Sequence, residues 1–488
     1  MAGCADRSKR IGEGWWSGVD DSLDDTFDLD VTTKQDHRDL IRRHDTIMSK
    51  TRRDLRRFDD YFEGEMPLKY MAPAVAAHFG DRITQLVINI ADLVVQSYEH
   101  RLDIDGIQLN PTGDADDTEA SSWEELDMAF IQQQVHLESL ALGRAYTQVG
   151  ADANGDPVVT AESPHQMTVI QDPLRRSKSA VKRWRADDGT QMRTLYLPTL
   201  TTHWALSSGR SWDLTSEFET DEHDLGRVPV FAFLNRCRIL QGLGQPEFKK
   251  VIPIYEALNK MATDMMVGGE FHALPRRFAV NVAADDFVDE QGRSLSPLEQ
   301  IIGAIWNVPG EQGGDPVQLG QFAASDLTNF HNTIRLLLQT AGHIMGLPAA
   351  YTSFATDNPA AEGAIKAGEI QLIKGAERKQ VTWSPAWKAT WQTVMQIRDG
   401  QLDPEAKKLR IMWRNAATPT LAQMADAVTK TVATKDQQGR SITPIPFARQ
   451  MLGFNAAERD AMADMDRESA ALGVQALRDS FTPTFSDQ

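Results

Sequence analysis

The most regular apolar spacing in the chain lies in residues 327–344. Apolar residues there follow one another at alternating intervals of three and four, which places their side chains on one face of an α-helix. The members of this seam are Leu327, Phe330, Ile334, Leu337, Ala341 and Ile344. The pattern predicts a long helix with one buried seam.

The first half of the chain mixes helical and strand periodicity. Apolar residues from Arg82 to Tyr98 recur every three or four positions and predict an amphipathic helix. The turn at 152–156 has an Asn-Gly core between alternating runs and predicts a β-hairpin. It does not fit a calcium loop, because Pro157 stands where that template requires glycine. Residues 165–235 continue in short alternating runs and are predicted to be largely β.

The second half is predicted to be mainly helical. A helix begins near Pro246, whose missing N–H costs nothing in a first turn, and residues 273–323 follow it as a short α/β insertion. Another long helix covers 362–401 with a kink at Pro385, and 419–475 contain two or three more. One side of the helix at 362–401 carries three tryptophans, interpreted as a core packing face: Trp383, Trp387 and Trp391. The fold class predicted is helix-rich α+β.

Composition narrows the class of protein. The chain has 51 Lys and Arg residues against 69 Asp and Glu residues, a formal net charge of −18, and is 41% hydrophobic. These values exclude a basic DNA coat and a disordered tail, and 488 residues allow about two to four compact units. With only Cys4 and Cys237, a disulfide framework and a cysteine-bound structural zinc are excluded. We expect a reducing compartment, no cofactor and no metal.

Residues 336–356 are the one stretch that suggests a membrane span. They contain 21 positions without a formal charge, about the length a bilayer requires. Polar residues and the sequence Gly346-Leu347-Pro348 would break a spanning helix near its middle, so no membrane span is predicted. The N-terminal residues contain no apolar run of the signal-peptide kind.

The sequence contains no complete motif for a catalytic or nucleotide-binding site. Residues 363–368 have the glycine spacing of a phosphate loop, but Glu369 and Ile370 follow where lysine and a hydroxyl residue should hold phosphate and magnesium. Residues 242–244 lack the third glycine of a dinucleotide-binding motif. The carboxylates and lysine of 403–407 are interpreted as a solvated helix cap. The prediction is a protein that is not an enzyme.

Several short motifs stand in a fixed order between residues 55 and 470. They are Tyr61-Phe62-Glu63-Gly64, Pro229-Val230-Phe231-Ala232-Phe233, Val251-Ile252-Pro253-Ile254-Tyr255-Glu256-Ala257-Leu258-Asn259, Leu274-Pro275-Arg276-Arg277, Gly346-Leu347-Pro348, Asn358-Pro359-Ala360-Ala361-Glu362, and Trp413 before Thr418-Pro419-Thr420. With the element order above, they resemble the portal proteins of tailed bacteriophages, in particular the head-to-tail connectors of siphophages that infect Gram-positive hosts. Gln245 departs from the family's usual serine, and Ala361 and Gly363 depart from the expected Ser and Ala.

The resemblance implies a ring, expected to be a dodecamer, around a channel for double-stranded DNA at one vertex of the virion capsid. It assigns an acidic arm to 1–45, a wing to 46–245, stem helices to 246–272 and 324–346, a clip to 273–323, a tunnel loop to 347–361, a long helix and wing strand to 362–418, a crown to 419–475 and a tail to 476–488. Implied partners are the terminase motor, head-completion and tail adaptors, the major capsid protein and a scaffolding protein. Assembly is expected in the host cytoplasm.

A channel that lets DNA slide must not hold phosphates tightly, since each lysine or arginine contact adds salt-dependent affinity. The net charge and the tunnel loop, which has no cation over residues 348–358, fit this requirement. The loop residues expected to face the channel are Tyr351, Thr352, Ser353 and Phe354, followed in the same loop by Thr356, Asp357 and Asn358. In an alternative that stays open, Tyr351 and Phe354 anchor the loop to a neighbouring subunit.

The clip is predicted to carry an acidic rim. Residues 281–315 hold seven acids against Arg293, a net charge of −6, which would repel a duplex toward the channel axis and offer a docking surface. The rim acids are Asp285, Asp286, Asp289, Glu290, Glu311 and Asp315. Without a nucleotide motif, the motive force has to come from another protein. Two other classes stay open: a minor head or assembly protein without a channel, and a divergent hydrolase with a hidden site near an acid such as Asp403.

Overall fold

A computed structural model of the chain describes residues 33–67, 86–109, 117–171, 177–206, 212–214, 220–239, 242–273, 277–280, 305–308, 318–321, 327–352, 362–417, 419, 421–454 and 456–480. Its helices, numbered here in chain order, are α1 (Lys34–Glu63), α2 (Ile90–Glu99), α3 (Asp117–Glu125), α4 (Met128–Leu142), α5 (Ile252–Ala273), α6 (Thr328–Met345), α7 (Ala349–Thr352), α8 (Glu362–Asp399), α9 (Leu421–Ala433), α10 (Ile445–Met451) and α11 (Ala456–Ser480). Short 3₁₀ helices occupy Glu247–Val251 and Glu405–Lys408.

The strands are β1 (Ile104–Gln108), β2 (Arg144–Ala151), β3 (Pro157–Glu162), β4 (Met167–Gln171), β5 (Ser177–Arg185), β6 (Gln191–Tyr196), β7 (Leu200–Leu206), β8 (Trp212–Leu214), β9 (Asp221–Glu222), β10 (Val230–Leu234), β11 (Arg277–Val280), β12 (Ile305–Val308), β13 (Gln318–Gln321) and β14 (Arg410–Trp413). The chain therefore has the helix-rich α+β fold that the sequence predicts.

Within the described ranges, the strands form four sheets. The largest has the order β4-β5-β6-β7-β8, all antiparallel, with β9 paired to β7. A second has the order β10-β2-β3, a third pairs β1 with β14, and a fourth has the order β12-β11-β13. The predicted hairpin at 152–156 is confirmed as the β2–β3 connection, where the Asp152 N–H donates to the Asp156 carbonyl at 2.9 Å.

Helix α8 lies at the centre of the main core. The prediction of a tryptophan packing face is confirmed, since Trp383, Trp387 and Trp391 are all buried. His136 of α4 stacks on Trp383 with ring centroids 4.9 Å apart and accepts a hydrogen bond from Trp387 Nε1 at 3.0 Å. The helix continues through Pro385. Burial of three indole rings fixes α8 against the strands and helices of the first half of the chain.

Helix α1 covers one face of the large sheet. Its Leu40, Ile41 and Met48 pack against a buried cluster that includes Trp204 of β7. Thr33 begins the helix as an N-cap, since its hydroxyl accepts the Asp36 N–H while the Asp36 carboxylate accepts from Thr33. The opposite, solvent-exposed side of the same helix carries cations such as Arg52, Arg53 and Arg56.

The helix predicted from Arg82 to Tyr98 begins later than expected. Residues 86–89 are not helical, and α2 starts at Ile90 because the Asn89 side chain accepts the Asp92 N–H as an N-cap. The Asn89 amide also donates to the Phe62 carbonyl at 2.7 Å, which ties this start to the end of α1. Of the apolar residues in this non-helical segment, Leu86 is exposed, and Val87 and Ile88 are half-buried against the main core.

The helix after Pro246 ends where the insertion of residues 273–323 is predicted to begin. Pro246 precedes a 3₁₀ segment that leads into α5, and α5 passes Gly268 and Gly269 to end at Ala273. In the C-terminal part, the described residues form three helices, α9, α10 and α11, where two or three were predicted. Across the ranges that the structure describes, no helix combines the length and apolar content required to cross a membrane.

Candidate functional site

Helices α5 and α6 pack against each other and lie in the two ranges predicted to form the stem, 246–272 and 324–346, with α5 ending one residue later. On α6, Ile334 and Ala341 of the predicted seam are buried, whereas Leu337 is half-buried and Ile344 is 43% exposed. The buried line consists of Ile334, Leu338, Ala341, Gly342 and Met345, and Leu327 and Phe330 at its start are half-buried. In the last two turns the buried residues are therefore Leu338 and Met345, each one position after the predicted Leu337 and Ile344. The physical reason is that an α-helix has 3.6 residues per turn, so a strict 3-4 line drifts around its surface.

The segment after α6 is a tight connection followed by the short helix α7. Gly346 ends α6 in the left-handed region at φ 71°, where a side chain would be strained. The predicted tunnel loop therefore begins with helical structure at Ala349–Thr352. Tyr351 is 39% exposed, and its role as a channel-facing residue stays a prediction.

Thr352 does not fit the prediction that it faces a channel. It is 8% exposed, and a Cβ built on Gly342 of α6 would lie 2.7 Å from its Cγ2. The absence of a side chain at Gly342 is what lets α7 pack this closely. The remaining predicted loop residues, Ser353, Phe354, Thr356, Asp357 and Asn358, lie outside the described residues.

The predicted clip is described only through its three strands. β11 pairs in parallel with β12 and antiparallel with β13. The rim acids all lie outside the described residues: Asp285, Asp286, Asp289, Glu290, Glu311 and Asp315. The arrangement of the strands agrees with the short α/β insertion predicted for 273–323.

The end of α2 contacts both chain segments that flank residues 353–361. Tyr98 donates its hydroxyl to the Met345 carbonyl at the end of α6, at 3.2 Å, and its ring lies against Gly375 of α8. Arg101, just beyond α2, donates to the Tyr351 hydroxyl at 3.3 Å and to the Glu369 carboxylate at 3.2 Å. Sequence reasoning missed both residues, because their partners are about 250 positions away and no local motif marks them.

A buried polar cluster lies one turn further along α8. Lys379 donates to Glu247 at 2.6 Å and to the Asn235 side-chain oxygen at 2.8 Å. The Arg236 guanidinium donates to the Glu247 backbone carbonyl at 2.7 Å and lies 3.5 Å from its carboxylate. Burial alone would raise the pKa of Glu247, but the charges of Lys379 and Arg236 and the hydrogen bonds outweigh it and lower that pKa. Burial lowers the pKa of Lys379. Glu247 is therefore ionised and joins the start of α5 to α8.

The side chains of this polar cluster connect elements of the fold to one another. Their hydrogen bonds link β10, the 3₁₀ segment before α5, and α8. The carboxylate–lysine motif at 403–407 forms a cap, in which the Asp403 carboxylate accepts the Glu405 N–H at 2.8 Å. Within the ranges given above, no three His, Cys, Asp or Glu side chains gather as a metal ion would require.

The family of the chain follows from comparison with known proteins. The profile of the family described as "Phage portal protein, SPP1 Gp6-like" matches residues 42–440. The chain belongs to this phage portal family. The matched range covers most of the sequence and includes α5, α6, α7, α8 and the polar cluster, so the site described here lies inside the portal family region.

Two curated relatives agree with membership in the portal family. The portal protein of Mycobacterium phage D29 is 28% identical over 443 residues, which cover 87% of each chain. The portal protein of Mycobacterium phage L5 is 29% identical over 404 residues, which cover 79% of each chain. Both are similar to this chain over more than three quarters of its length.

Two solved structures are also similar to this portal family chain. A chain from the neck of an empty GTA particle, computed with C6 symmetry, has a TM-score of 0.42 at 11% identity, and covers 80% of this chain and 95% of its own. A chain from the neck of a native GTA particle, computed with C12 symmetry, has a TM-score of 0.39 at 13% identity, and covers 75% and 88%.

Proposed function

We propose that this chain is the portal subunit of a phage virion, which assembles as a ring at one capsid vertex and forms the channel for packaging and ejection of double-stranded DNA. The observation that carries the proposal is the family match over residues 42–440, together with two relatives named portal protein that match over 87% and 79% of the chain. A ring of twelve copies, with terminase, head-completion and tail adaptors, the major capsid protein and a scaffolding protein as partners, belongs to the same proposal.

Exposed apolar side chains on α6 support assembly with neighbouring copies. Leu336 is 62% exposed and Ile344 is 43% exposed on a helix whose other side packs against α5. Large apolar groups that a single chain leaves in water are a common property of subunit interfaces. In the ring, these side chains of α6 would be covered by the next subunit.

The negative charge of the chain supports the proposal that DNA slides through the channel without being bound tightly. A net charge of −18 opposes tight phosphate contacts, and residues 348–358 contain no lysine or arginine. The loop after Tyr351 can then contact the duplex sterically, with little dependence on salt. The proposed role of the acids in 281–315 is to repel the duplex toward the axis and to present a docking surface.

The loop part of this proposal is tested by replacing residues 353–358 with a Gly-Ser sequence of equal length. This variant keeps α7 and Tyr351 in place, so rings should form while packaging or retention of the genome falls. The control replaces the exposed turn 187–189 between β5 and β6, and should package normally. Heads of the 353–358 variant that fill and retain DNA as the parent does would remove the loop from the mechanism.

A further inference from the structure

The two chain segments on either side of residues 353–361 meet at the end of α2. The segment that leads in consists of α6 and α7, and the segment that leads out is the first part of α8. Gly346 at the end of α6 lies close to Gln371 of α8, since a Cβ at Gly346 would be 3.1 Å from the Gln371 side chain. The residues that fix the separation of these segments therefore control where residues 353–361 start and end.

Arg101 forms side-chain hydrogen bonds to both segments at once. One guanidinium nitrogen donates to the Tyr351 hydroxyl of α7 at 3.3 Å and to the Glu369 carboxylate of α8 at 3.2 Å. The other terminal nitrogen donates to the Ala416 carbonyl after β14, at 2.7 Å. The Arg101 side chain is only 9% exposed, so these three bonds replace nearly all of its contact with water.

The backbone around Arg101 is itself held in place. Gln380 of α8 donates its side-chain amide to the Arg101 carbonyl at 3.2 Å and to the Arg414 carbonyl at 3.1 Å. Tyr98, one turn earlier, bonds to the Met345 carbonyl and packs where Gly375 leaves room. The backbone that carries the guanidinium is thus held in place, and the planar arrangement of the guanidinium donors directs their hydrogen bonds at the two segments.

We propose that Arg101 is a positioning residue that holds α7 and the start of α8 at a fixed separation and so sets the placement of the loop between them. This inference rests on the proposed function, in which that loop acts on DNA. Arginine suits the role because its donors lie in a rigid plane, whereas a lysine would offer a single mobile ammonium. Loss of Arg101 also removes the ion pair that Glu369 forms with it, which further weakens the contact between α8 and the end of α2.

The test compares Arg101→Met and Arg101→Lys in the full-length protein by hydrogen exchange and by DNA retention in assembled heads. Amide exchange of residues 347–352 and 362–372 should accelerate about tenfold in Arg101→Met and less in Arg101→Lys, because local opening there becomes easier. The matched control is Arg398→Met in the last turn of α8, which loses comparable bonds to Glu119 and Ser122 far along the same helix. It should leave exchange in both segments unchanged.

Two further variants remove one partner each and keep Arg101, in case Arg101→Met does not fold. Tyr351→Phe should accelerate exchange mainly in α7, and Glu369→Gln mainly at the start of α8. Unchanged exchange in all of these variants, or equal acceleration in Arg398→Met, would overturn the positioning role. Accelerated exchange with normal DNA retention would instead overturn the action of the loop on DNA, so the two failures are distinguishable.

Discussion

The ammonium of Lys379 lies 2.6 Å from a carboxylate oxygen of Glu247, and Asn235 is hydrogen-bonded to both side chains. This buried pair joins the central helix α8 to the 3₁₀ segment that leads into α5. Because α5 is one of the two proposed stem helices, the pair fixes the base of the stem to the core. A buried pair of this kind is costly to break from one side only.

Lys379→Met should lower the free energy of unfolding by about 3 kcal/mol, because Glu247 keeps its charge and loses its nearest partner. The double variant Lys379→Met with Glu247→Gln should recover part of that loss, since the buried carboxylate is removed together with the ammonium. Urea denaturation of the isolated chain, followed by tryptophan fluorescence, measures both. The control Lys430→Met breaks an exposed pair with Asp426 and should cost under about 1 kcal/mol. Equal losses for Lys379→Met and Lys430→Met would contradict the role of the buried pair.

Acid should weaken the fold through two buried histidines. Burial lowers the pKa of His44 and of His136 to about 3, so both stay neutral in the folded chain. Below the ordinary pKa of about 6.5 only the unfolded chain takes up these protons, so stability present at pH 7 is lost as pH falls toward 3. Each histidine then contributes a loss of about 2 kcal/mol between pH 7 and pH 5.

His136→Gln tests this pH dependence, because a glutamine oxygen can accept the hydrogen bond from Trp387 but does not titrate. Unfolding free energies are measured in urea at pH 7 and pH 5, with the buried tryptophans as reporters. The difference between the two pH values should shrink by about 2 kcal/mol in the variant. An unchanged difference would show that His136 does not contribute to acid sensitivity.

Gly244 and Gly242 form a matched pair of substitution sites. A Cβ at Gly244 would lie 1.8 Å from the Gly143 carbonyl oxygen, whereas a Cβ at Gly242 meets nothing within 4 Å. Gly244→Ala should therefore destabilise the chain by about 3 kcal/mol, since a backbone group has to move, and Gly242→Ala by about 0.5 kcal/mol or less. Thermal unfolding of both variants measures the contrast. Similar melting temperatures for the two would contradict the close approach of these backbones.

Packing of α7 against α6 depends on Gly342. Gly342→Ala should displace α7, because the new Cβ would lie 2.7 Å from Cγ2 of Thr352. Adding Thr352→Ser removes that methyl group and should restore much of the packing. Hydrogen exchange of residues 347–352 should rise about tenfold in Gly342→Ala and return toward the parent in the double variant. No rise in the single variant would show that α7 is held elsewhere.

Elements with regular spacing were predictable from sequence. Residues 327–344, the tryptophan side of α8 and the Asn-Gly hairpin each carry a local pattern that lies within one element. The start of α2 at Ile90 was not predictable from periodicity, because it depends on a capping side chain, Asn89, that also bonds to Phe62. The capping hydrogen bond of Asn89, and not the spacing of apolar residues, therefore sets the first residue of the helix.

Contacts between distant parts of the chain could not be predicted. Arg101 and Glu369 are 268 positions apart, and Lys379 and Glu247 are 132 apart, so no motif brings them together before the fold is known. His136, stacked between Trp383 and Trp413, had no signal as a core residue for the same reason. Burial of Thr352 likewise depends on Gly342 of another helix. These contacts join α5, α7 and α8 to the rest of the described structure.

The most direct test of the proposed function is electron microscopy of the purified full-length protein, imaged over a range of protein concentrations. We expect closed rings with a central opening wide enough for duplex DNA, with α6 at a subunit interface near the symmetry axis. Single copies at every concentration, or closed assemblies without a central opening, would contradict it.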